Sequence, residues 1–348
     1  MARLVAAVSG GVDSAVATAR MLEDGHEVTA VHLRLWTGAG HTAQDDAAAV
    51  AAFLGVPFEV WDFSSLFTTL VMGYFADEYA RGRTPNPCLK CNETIKFTAL
   101  GDKAAALGFD GVVTGHYATL RARGDGIVEL HRAAEPAKDQ SYVLGVLSQR
   151  LLARSYFPLG GLTKAEVRAE ARRLGIPVAG KPDSSDVCFI PGGATAAWLR
   201  ERLGPRPGMI RDETGRELGG HQGIFAYTIG QRKGLRIGVP AADGRPRYVA
   251  GIDPGSGTVT VGPRESLRVS RLDCTEPHWC ESAPVGRARF TVQLRAHAEE
   301  LPAVVEVMGE TVRIDLATPA YGIAPGQTAV IYDGTRVIGA ATIDATGP

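Results

Sequence analysis

The sequence predicts an α/β domain with a parallel, doubly wound sheet, followed by a small β domain and a C-terminal β-barrel. Three observations predict this order. Strand-like and helix-like segments alternate through the first half, as in repeated strand–helix units. After about Leu203 the segments become short and are interrupted by Gly and Pro. Beyond Leu267 apolar residues recur at every second position, as in strands with one buried face.

The elements of the α/β part follow from short apolar runs and from helical patterns that end at glycine. The predicted strands are Leu4 to Val8, Val28 to Leu35, Phe58 to Phe63 and Gly111 to Thr114. The predicted helices are Ser14 to Asp24, Ala43 to Leu54, Ser64 to Tyr79 and Asn92 to Leu107. Because the strands of such a sheet are parallel, ligands are expected beyond their carboxyl ends.

The second half of the chain is typical of two β domains. The stretch Gly204 to Gly208 contains two prolines and predicts a linker. The predicted strands beyond it are Ala288 to Leu294, Val304 to Val307, Val312 to Leu316, Ala329 to Ile331 and Val337 to Ile343. Asp333-Gly334 predicts a hairpin between the last two, within a β-barrel or, as the alternative, a β-sandwich. We expect domains at residues 1–204, 205–265 and 266–348.

The composition excludes several classes of protein. The 348 residues carry a net charge of −1, which excludes a uniformly basic coat for nucleic acid. Five cysteines are too few and too unevenly spaced for a secreted disulfide framework. The apolar start leads directly into a Gly-Gly turn, like a buried strand rather than a signal peptide, and no apolar stretch approaches the ~18 residues of a membrane span. We expect a cytoplasmic protein without a membrane partner.

Positive charge is nevertheless concentrated in one segment. Residues 200–250 contain ten Lys or Arg and five Asp or Glu. Such a segment is either an ordinary solvated surface or a patch that contacts phosphates.

The sharpest local signal is Ser9-Gly10-Gly11-Val12-Asp13-Ser14, between the first strand and the first helix. Two glycines let the backbone turn tightly, so that N–H groups and the positive helix end can bind a phosphate. The spacing fits neither the Walker A motif, which ends in Gly-Lys-Ser/Thr, nor the Rossmann fingerprint. The loop therefore predicts a phosphate site of another class.

A second signal is Pro85-Asn86-Pro87-Cys88-Leu89-Lys90-Cys91-Asn92. The prolines predict an extended approach, and Asn92 is a candidate N-cap for the helix that follows. Cys91 would then lie at a helix N-terminus beside Lys90 and Lys96, where a thiolate is favoured. Two cysteines at this spacing are also half of a metal site, which Cys274 and Cys280 could complete with zinc.

Several motifs in register resemble a known family. The loop Ser9 to Ser14 resembles the pyrophosphate (PP) loop of the N-type ATP pyrophosphatases, whose first domain is Rossmann-like. That loop and the cysteine segment above are followed in order by four further motifs: Thr114-Gly115-His116-Tyr117-Ala118, Lys138-Asp139-Gln140-Ser141-Tyr142, Val187-Cys188-Phe189-Ile190 and Tyr227-Thr228-Ile229-Gly230-Gln231-Arg232-Lys233-Gly234-Leu235. Together with Pro325-Gly326-Gln327 near the C-terminus, they resemble the bacterial tRNA-specific 2-thiouridylase family over nearly the whole chain.

The resemblance implies roles for individual residues. Cys91 corresponds to the nucleophile and Cys188 to the cysteine that carries a persulfide. ATP would be bound by Ala7, Val8, Ser9, Gly10, Gly11, Val12, Asp13, Ser14, Leu33 and Gly115. The tRNA would be contacted by Asn86, Pro87, Cys88, His116, Lys138, Asp139, Gln140, Arg295 and Gln327.

Two positions depart from the family's pattern. Ala296 replaces the Tyr that usually follows Arg295, and Cys88 stands where many members have Asp. Without that carboxylate, an acid–base step would need another group such as Asp139. Cys88, Cys91 and Cys188 could instead ligate an iron–sulfur cluster with one open iron for sulfide. The competing mechanism is a disulfide between Cys91 and Cys188 that forms after sulfur leaves.

The implied reaction is ATP-dependent 2-thiolation of the wobble uridine of tRNA. ATP adenylates uracil O2, Mg²⁺ offsets the pyrophosphate charge, sulfur attacks C2 and AMP leaves. A cysteine desulfurase or a sulfur-relay protein would supply the persulfide. The alternatives are a pyrophosphatase-type ligase for a small amino acid or nucleotide, which leaves the cysteines unused, and a zinc-stabilised RNA-binding module, which leaves the ATP loop unused.

Overall fold

A computed structural model describes residues 1–36, 42–183, 187–238 and 244–348 of the chain. The strands are β1 (Arg3–Ala7), β2 (Glu27–Arg34), β3 (Phe58–Asp62), β4 (Gly111–Val113), β5 (Thr119–Ala122), β6 (Val128–His131), β7 (Ser155–Tyr156), β8 (Gly208–Asp212), β9 (Glu217–His221), β10 (Tyr248–Asp253), β11 (Thr258–Gly262), β12 (Arg268–Trp279), β13 (Arg287–Gln293), β14 (Leu301–Met308), β15 (Thr311–Tyr321), β16 (Thr328–Asp333) and β17 (Arg336–Gly347). The α-helices are α1 (Val12–Glu23), α2 (Thr42–Leu54), α3 (Ser64–Phe67), α4 (Tyr74–Ala80), α5 (Pro87–Cys91), α6 (Leu100–Ala106), α7 (Ser141–Leu144), α8 (Gln149–Leu152), α9 (Lys164–Leu174) and α10 (Thr195–Leu203). Two π-helical segments, Thr68–Gly73 and Asn92–Ala99, join α3 to α4 and α5 to α6. Short 3₁₀ turns lie at Pro136–Lys138, Pro191–Gly193, Ile224–Ala226 and Arg264–Leu267.

The first sheet is parallel throughout, with the strand order β3-β2-β1-β4-β7. Side chains of a strand alternate between the two faces of its sheet. Leu4 and Ala6 of β1 accordingly pack into the core beneath α1, α2 and α9, whereas Val5 packs into the core on the opposite face, with α4 and α6. Helices cover both faces, which confirms the predicted doubly wound α/β architecture.

The helix that carries the cysteine pair begins earlier than predicted. Asn86 is its N-cap, since the Asn86 side chain accepts a hydrogen bond from the Cys88 N–H at 3.0 Å, and Pro87 occupies the first helical position. Helical backbone then continues through Cys91 and Asn92 into the π-helical segment and α6. The prediction that Asn92 caps this helix is therefore wrong.

The second sheet has the order β10-β11-β8-β9, and residues 204–207 connect α10 to its strand β8. The third sheet contains six antiparallel strands that close on themselves, because β12 pairs with both β15 and β17. This closure confirms the predicted barrel over the sandwich. The hairpin at Asp333-Gly334 is also confirmed, since Asp333 pairs with Arg336 across the turn.

One hairpin of the N-terminal part extends the barrel sheet, which the sequence did not predict. Strands β5 and β6 pair with each other, and His131 of β6 pairs with Arg336 of β17. The Nδ1 atom of His131 also lies 2.9 Å from Oγ1 of Thr335. The α/β region and the barrel thus share a continuous hydrogen-bonded ladder. In the described part of the chain, no helix is long and apolar enough to cross a membrane.

Candidate active site

The predicted phosphate loop, Ser9 to Ser14, connects β1 to α1 at the carboxyl edge of the first sheet. Gly11 precedes the first helical residue and provides no side-chain cap. Inside the loop, the hydroxyl of Ser14 accepts a hydrogen bond from the Ser9 N–H at 3.2 Å and donates one to the Gly11 carbonyl at 3.1 Å. The helix therefore presents uncapped N–H groups, which are the donors that bind an anion.

Two glycines are required by close backbone contacts at this loop. Gly10 has φ +75°, and a Cβ there would lie 2.5 Å from the Ala43 carbonyl oxygen. Gly115 follows β4, and a Cβ there would lie 2.7 Å from both the Asp13 carbonyl carbon and the Ser14 nitrogen. The segment after β4 thus packs directly on the loop. Leu33, near the carboxyl end of β2, is half-buried at the same edge of the sheet.

A buried lysine next to the loop was missed by sequence reasoning. Lys164, the first residue of α9, places its Nζ 2.7 Å from Oδ1 of Asp13 and 2.9 Å from Oδ1 of Asp183. The Tyr117 hydroxyl donates to the same Asp13 carboxylate at 2.7 Å. No sequence signal links Lys164 to a loop 151 residues away. The capping box formed by Thr163 and Glu166 would have located the start of α9 alone.

Asp183 connects the lysine at the loop to the segment that leads to Cys188. Its carboxylate accepts from Lys138 at 2.9 Å and from Arg168 at 2.7 Å, besides its contact with Lys164. Hydrogen bonding from Lys164, followed by that from Lys138, holds the pKa of Asp183 well below its usual range. The next three residues of this sequence motif, 184–186, lie outside the described residues.

Cys91 does not lie at a helix N-terminus, as the sequence had suggested. It lies inside the continuous helix and is 5% exposed. Burial raises the pKa of its thiol to about 11, and this effect outweighs the opposing charge of Lys96. The expected thiolate is therefore disfavoured in this state by burial, and the expected position at a helix N-terminus was wrong because the helix starts at Pro87.

The three cysteines of interest lie close enough for their charges to interact. Cys88 and Cys188 both raise the pKa of Cys91, and Cys88 raises that of Cys188. Cys88 and Cys188 are exposed, and Cys188 lies in a turn. Protein around Cys188 still desolvates its thiol, which is the main reason that its pKa is raised. One buried thiol and two exposed thiols thus lie within range of one another's charge.

The other two cysteines are packing residues. Cys274 is 1% exposed in the barrel core, and Cys280 is 3% exposed where the barrel meets the β5–β6 hairpin. Burial raises the pKa of each thiol to about 12. Among the residues that the structure describes, no three His, Cys, Asp or Glu side chains are grouped so as to hold a metal ion. The arrangement thus supports neither the zinc alternative nor a preformed cluster site.

Three of the residues that the resemblance associates with tRNA, His116, Lys138 and Gln140, make contacts within the protein. His116 is buried, its Nδ1 lies 2.8 Å from Oγ1 of Thr114, and burial lowers its pKa well below the usual value. The Gln140 side chain accepts from the Tyr117 N–H at 3.0 Å. Lys138 is one of the cations on Asp183. His116 and Gln140 are therefore already engaged within the protein.

Asp139 is the suggested replacement for the missing carboxylate at position 88. Its carboxylate is held by hydrogen bonds within the protein. It accepts hydrogen bonds from the Arg132 guanidinium at 2.6 Å, from the Ser141 hydroxyl at 2.8 Å and from the backbone N–H of Ala133 at 3.0 Å. These contacts fix the start of α7. They do not favour a role for Asp139 in proton transfer.

Gln327 and Arg295 lie where the barrel meets other parts of the chain. The Gln327 amide donates to the Thr84 carbonyl at 2.7 Å, just before the cysteine segment. The guanidinium of Arg295 donates to the carbonyl of Gly322. Gly322 in turn approaches Gly230 closely, since a Cβ on Gly230 would lie 3.2 Å from the Cα of Gly322. The basic segment, residues 200–250, therefore meets the barrel beside Arg295.

The basic segment has a mixed environment. Arg211 pairs with Glu217 at 3.1 Å, and Arg202 stacks on Trp198, with the guanidinium carbon 5.4 Å from the ring centroid. Arg232 and Lys233 are exposed in the loop that follows Gly230. Asp243, one of the five acids counted in this segment, lies outside the described residues. The proposed phosphate contact remains a prediction.

Comparison with known protein families covers almost the whole chain. Family models match residues 2–192, described as a tRNA methyl transferase HUP domain, residues 196–263, described as a tRNA methyl transferase PRC-barrel domain, and residues 269–343, described as an aminomethyltransferase beta-barrel domain.

Curated relatives match at high identity. A protein from Nocardioides sp. named tRNA-specific 2-thiouridylase MnmA is 57% identical over 99% of this chain and 98% of its own length. A protein of the same name from Streptomyces coelicolor is 55% identical over 99% of this chain and 95% of its own length. Among solved structures, the NMN synthetase of Francisella tularensis is 18% identical with a TM-score of 0.35, over 53% of this chain and 66% of that one.

Proposed function

The chain belongs to the tRNA-specific 2-thiouridylase family, and from this premise we propose how its residues carry out the reaction. It is a tRNA sulfurtransferase that uses ATP. The observation that carries the assignment is identity of 57% over 99% of this chain and 98% of the relative's own length. The specific target that we propose is the wobble uridine.

The phosphate loop supports the first half of the reaction. We propose that the uncapped start of α1 binds the phosphates of ATP, with Leu33 and Gly115 beside the adenosine. Oxygen O2 of the uracil attacks the α-phosphorus, the bond from that phosphorus to the bridging oxygen breaks, and pyrophosphate leaves. Adenylation is needed because the oxygen on C2 is otherwise a poor leaving group.

The cysteines support the second half. The terminal sulfur of a persulfide on Cys188 attacks C2 of the adenylated uracil, and AMP leaves. The thiolate of Cys91 then attacks Sγ of Cys188, which leaves the terminal sulfur on the uridine and forms a Cys91–Cys188 disulfide. An external thiol must reduce this disulfide before the next cycle. Because burial raises the pKa of Cys91 to about 11, we propose that Cys91 becomes reactive only after tRNA rearranges the site.

Two inorganic cofactors have different support. Asp13, the one carboxylate of the loop, is already engaged by Lys164 and Tyr117. We propose that Mg²⁺ is held chiefly by the ATP phosphates, where it would offset their charge. The three thiols are not grouped so as to hold a metal ion, and this arrangement does not support an iron–sulfur cluster as the source of sulfur.

We propose that the tRNA lies across the cysteine segment, the basic segment and the barrel. Contacts from Asn86, Pro87 and Cys88 would hold the target base, which must leave its stack to reach Cys188. Arg295 and Gln327 would contact the RNA from the barrel. The sulfur donor, a cysteine desulfurase or a relay protein, and the cytoplasmic location both remain predictions.

Methyl transfer, which the descriptions of two matching family models mention, is the competing activity. The phosphate loop favours thiolation, because transfer of an activated methyl group needs no site for ATP phosphates. The ligase alternative leaves the cysteines without a role, and the RNA-binding module leaves the loop without one. Pyrophosphate release that depends on tRNA distinguishes the enzyme from both.

The decisive experiment measures 2-thiouridine in tRNA by mass spectrometry of its nucleosides. Cys91→Ser and Cys188→Ser should each abolish the product. Cys88→Ser separates the two routes, because serine keeps a side chain of similar size to contact the base but removes the third thiol, which the cluster route needs and the disulfide route does not. Product formed by either of the first two variants would refute the assigned roles, and loss of product in Cys88→Ser would refute the disulfide route.

A further inference from the structure

Lys181 reaches the phosphate loop from a distant part of the sequence. Its Nζ lies 2.9 Å from the carbonyl oxygen of Gly10 and 2.6 Å from Oδ2 of Asp46. Gly10 is 171 residues away and Asp46 is 135 residues away. No motif and no family resemblance pointed to this residue.

The contact with Gly10 orients the loop. In a planar trans peptide, the carbonyl and the N–H point in opposite directions. By holding the Gly10 carbonyl, Lys181 turns the N–H of Gly11 to the other side of the same peptide. Within the described part of the chain, no group accepts a hydrogen bond from the N–H of Gly10 or Gly11. Donors without an acceptor at the start of a helix are the ones that an anion takes.

The charges around the loop give a second, independent reason to expect a phosphate ligand from another segment. The loop from Ser9 to Ser14 contains one acid, Asp13, and no cation. Lys164, the other lysine at the loop, is shared by the carboxylates of Asp13 and Asp183, and its side chain is only 10% exposed. Its charge is therefore already balanced. A phosphate chain needs a cation from elsewhere.

Lys181 is able to supply that cation. Among the described residues its one carboxylate partner is Asp46, and the two side chains are 37% and 38% exposed. Ion pairs as exposed as this contribute little to stability, so exchange of the partner costs little. A phosphate oxygen offers a stronger, charge-assisted hydrogen bond.

We propose that Lys181 is the cationic phosphate ligand of the ATP site, held by Asp46 until ATP binds. This inference rests on the proposed role of the loop. When ATP enters, the ammonium moves from the Asp46 carboxylate to the phosphate chain. It then offsets the charge that remains on pyrophosphate when the bond between the α-phosphorus and the bridging oxygen breaks.

The test compares Lys181→Met, Lys181→Arg and Asp46→Asn in the full-length enzyme. Isothermal titration with Mg-ATP gives the affinity for ATP, and inhibition by added pyrophosphate gives the affinity for the product. Lys181→Met should weaken both by about tenfold or more, the range for loss of a charge-assisted hydrogen bond. Lys181→Arg should remain within about threefold of the parent, because its charge can still reach a phosphate.

Asp46→Asn separates a phosphate ligand from a mere salt bridge. If Lys181 serves only to pair with Asp46, both partners should weaken ATP binding equally when they are replaced, and the proposal is overturned. If Lys181 binds phosphate, Asp46→Asn should bind ATP as tightly as the parent or more tightly. Should Lys181→Met fail to fold, Asp46→Asn is judged alone: weaker binding of ATP than in the parent overturns the proposal, and equal or tighter binding supports it.

The outcome also separates this inference from the assignment of the loop itself. If the parent enzyme binds no ATP, the proposed role of the loop fails. If the parent binds ATP and Lys181→Met binds it equally well, only the role of Lys181 fails. Binding of tRNA, measured in parallel, should stay unchanged in all three variants.

Discussion

The side-chain amide of Gln327 donates a hydrogen bond to the backbone carbonyl of Thr84, at 2.7 Å. The N–H of Thr84 donates to the carbonyl of Pro325, also at 2.7 Å. Both backbone polar groups of Thr84 are thus held by one turn of the barrel. Asn86, which begins the helix of Cys88 and Cys91, follows two residues later. The barrel therefore fixes the position of the cysteine segment.

Gly326→Ala should disturb this contact. Gly326 has φ +87°, and a Cβ there would lie 2.9 Å from the Thr84 nitrogen. We expect a several-fold lower kcat for 2-thiouridine formation with an unchanged Kd for ATP, because the cysteine segment shifts while the phosphate loop does not. Gly309→Ala is the matched control, since Gly309 has φ +66° but nothing within 4 Å of its would-be Cβ. Equal losses in both variants would mean that backbone strain, and not the contact with Thr84, causes the defect.

Arg83→Met should destabilise the fold. The Arg83 guanidinium lies 2.7 Å from the buried carboxylate of Glu78 and 2.6 Å from the exposed carboxylate of Asp344 in the barrel. Loss of one partner of a buried pair costs about 3 kcal/mol. Arg81→Met is the control, because Arg81 pairs with the same Glu78 through a side chain that is 69% exposed, and such pairs are worth about 1 kcal/mol or less. Urea unfolding measures the free energy of unfolding of both variants. Similar decreases in the two would contradict the different energies assigned to the two ion pairs.

The thiol of Cys91 should react slowly and with a steep pH dependence. Its pKa of about 11 leaves little thiolate near neutral pH in the tRNA-free enzyme, so alkylation should accelerate about tenfold per pH unit between pH 8 and pH 10. The same shift adds stability that is fully present below the ordinary pKa of 9.0 and is lost as the pH rises toward 11. Peptide mass spectrometry after iodoacetamide treatment measures the rate of alkylation at Cys91. Alkylation of Cys91 that is already fast at pH 7 and does not accelerate at higher pH would contradict the burial of its thiol.

Gly115→Ala should weaken ATP binding without unfolding the chain. Its Cβ would lie 2.7 Å from the Ser14 nitrogen, so the segment after β4 must move away from the loop. We expect the Kd for ATP to rise at least about tenfold, the equivalent of one lost charge-assisted hydrogen bond. Gly124→Ala, in the β5–β6 hairpin with nothing near its would-be Cβ, should bind ATP normally. Normal ATP binding by Gly115→Ala would exclude the proposed place of the nucleotide.

The α/β order could be predicted because apolar runs and helix-ending glycines are local signals. The phosphate loop could be predicted for the same reason. The N-cap residue of the cysteine helix was harder to predict, since Asn86 and Asn92 are both good N-caps. Pro87 favours Asn86, because proline suits the first position of a helix, and that signal was available in the sequence.

Contacts between distant segments could not be predicted. Lys164 and Lys181 reach the loop across 151 and 171 residues, and a single lysine carries no pattern. The burial of Cys91 depends likewise on tertiary packing. Its sequence neighbours Lys90 and Lys96 suggested a reactive thiolate, whereas the surrounding core reverses that expectation.

The π-helical segment from Asn92 to Ala99 sets the angle between Cys91 and the rest of its helix. A π-helical segment holds an extra residue relative to regular α-helix. A substitution that let the segment relax to α geometry without loss of a residue would rotate Cys91 by about 100° relative to Leu100. Deletion of one residue would remove the extra residue together with the π geometry and leave the two in nearly the same relative orientation. The orientation of Cys91 thus depends on the π geometry itself, and a substitution that abolishes this geometry is a greater hazard to sulfur transfer than the deletion of a single codon.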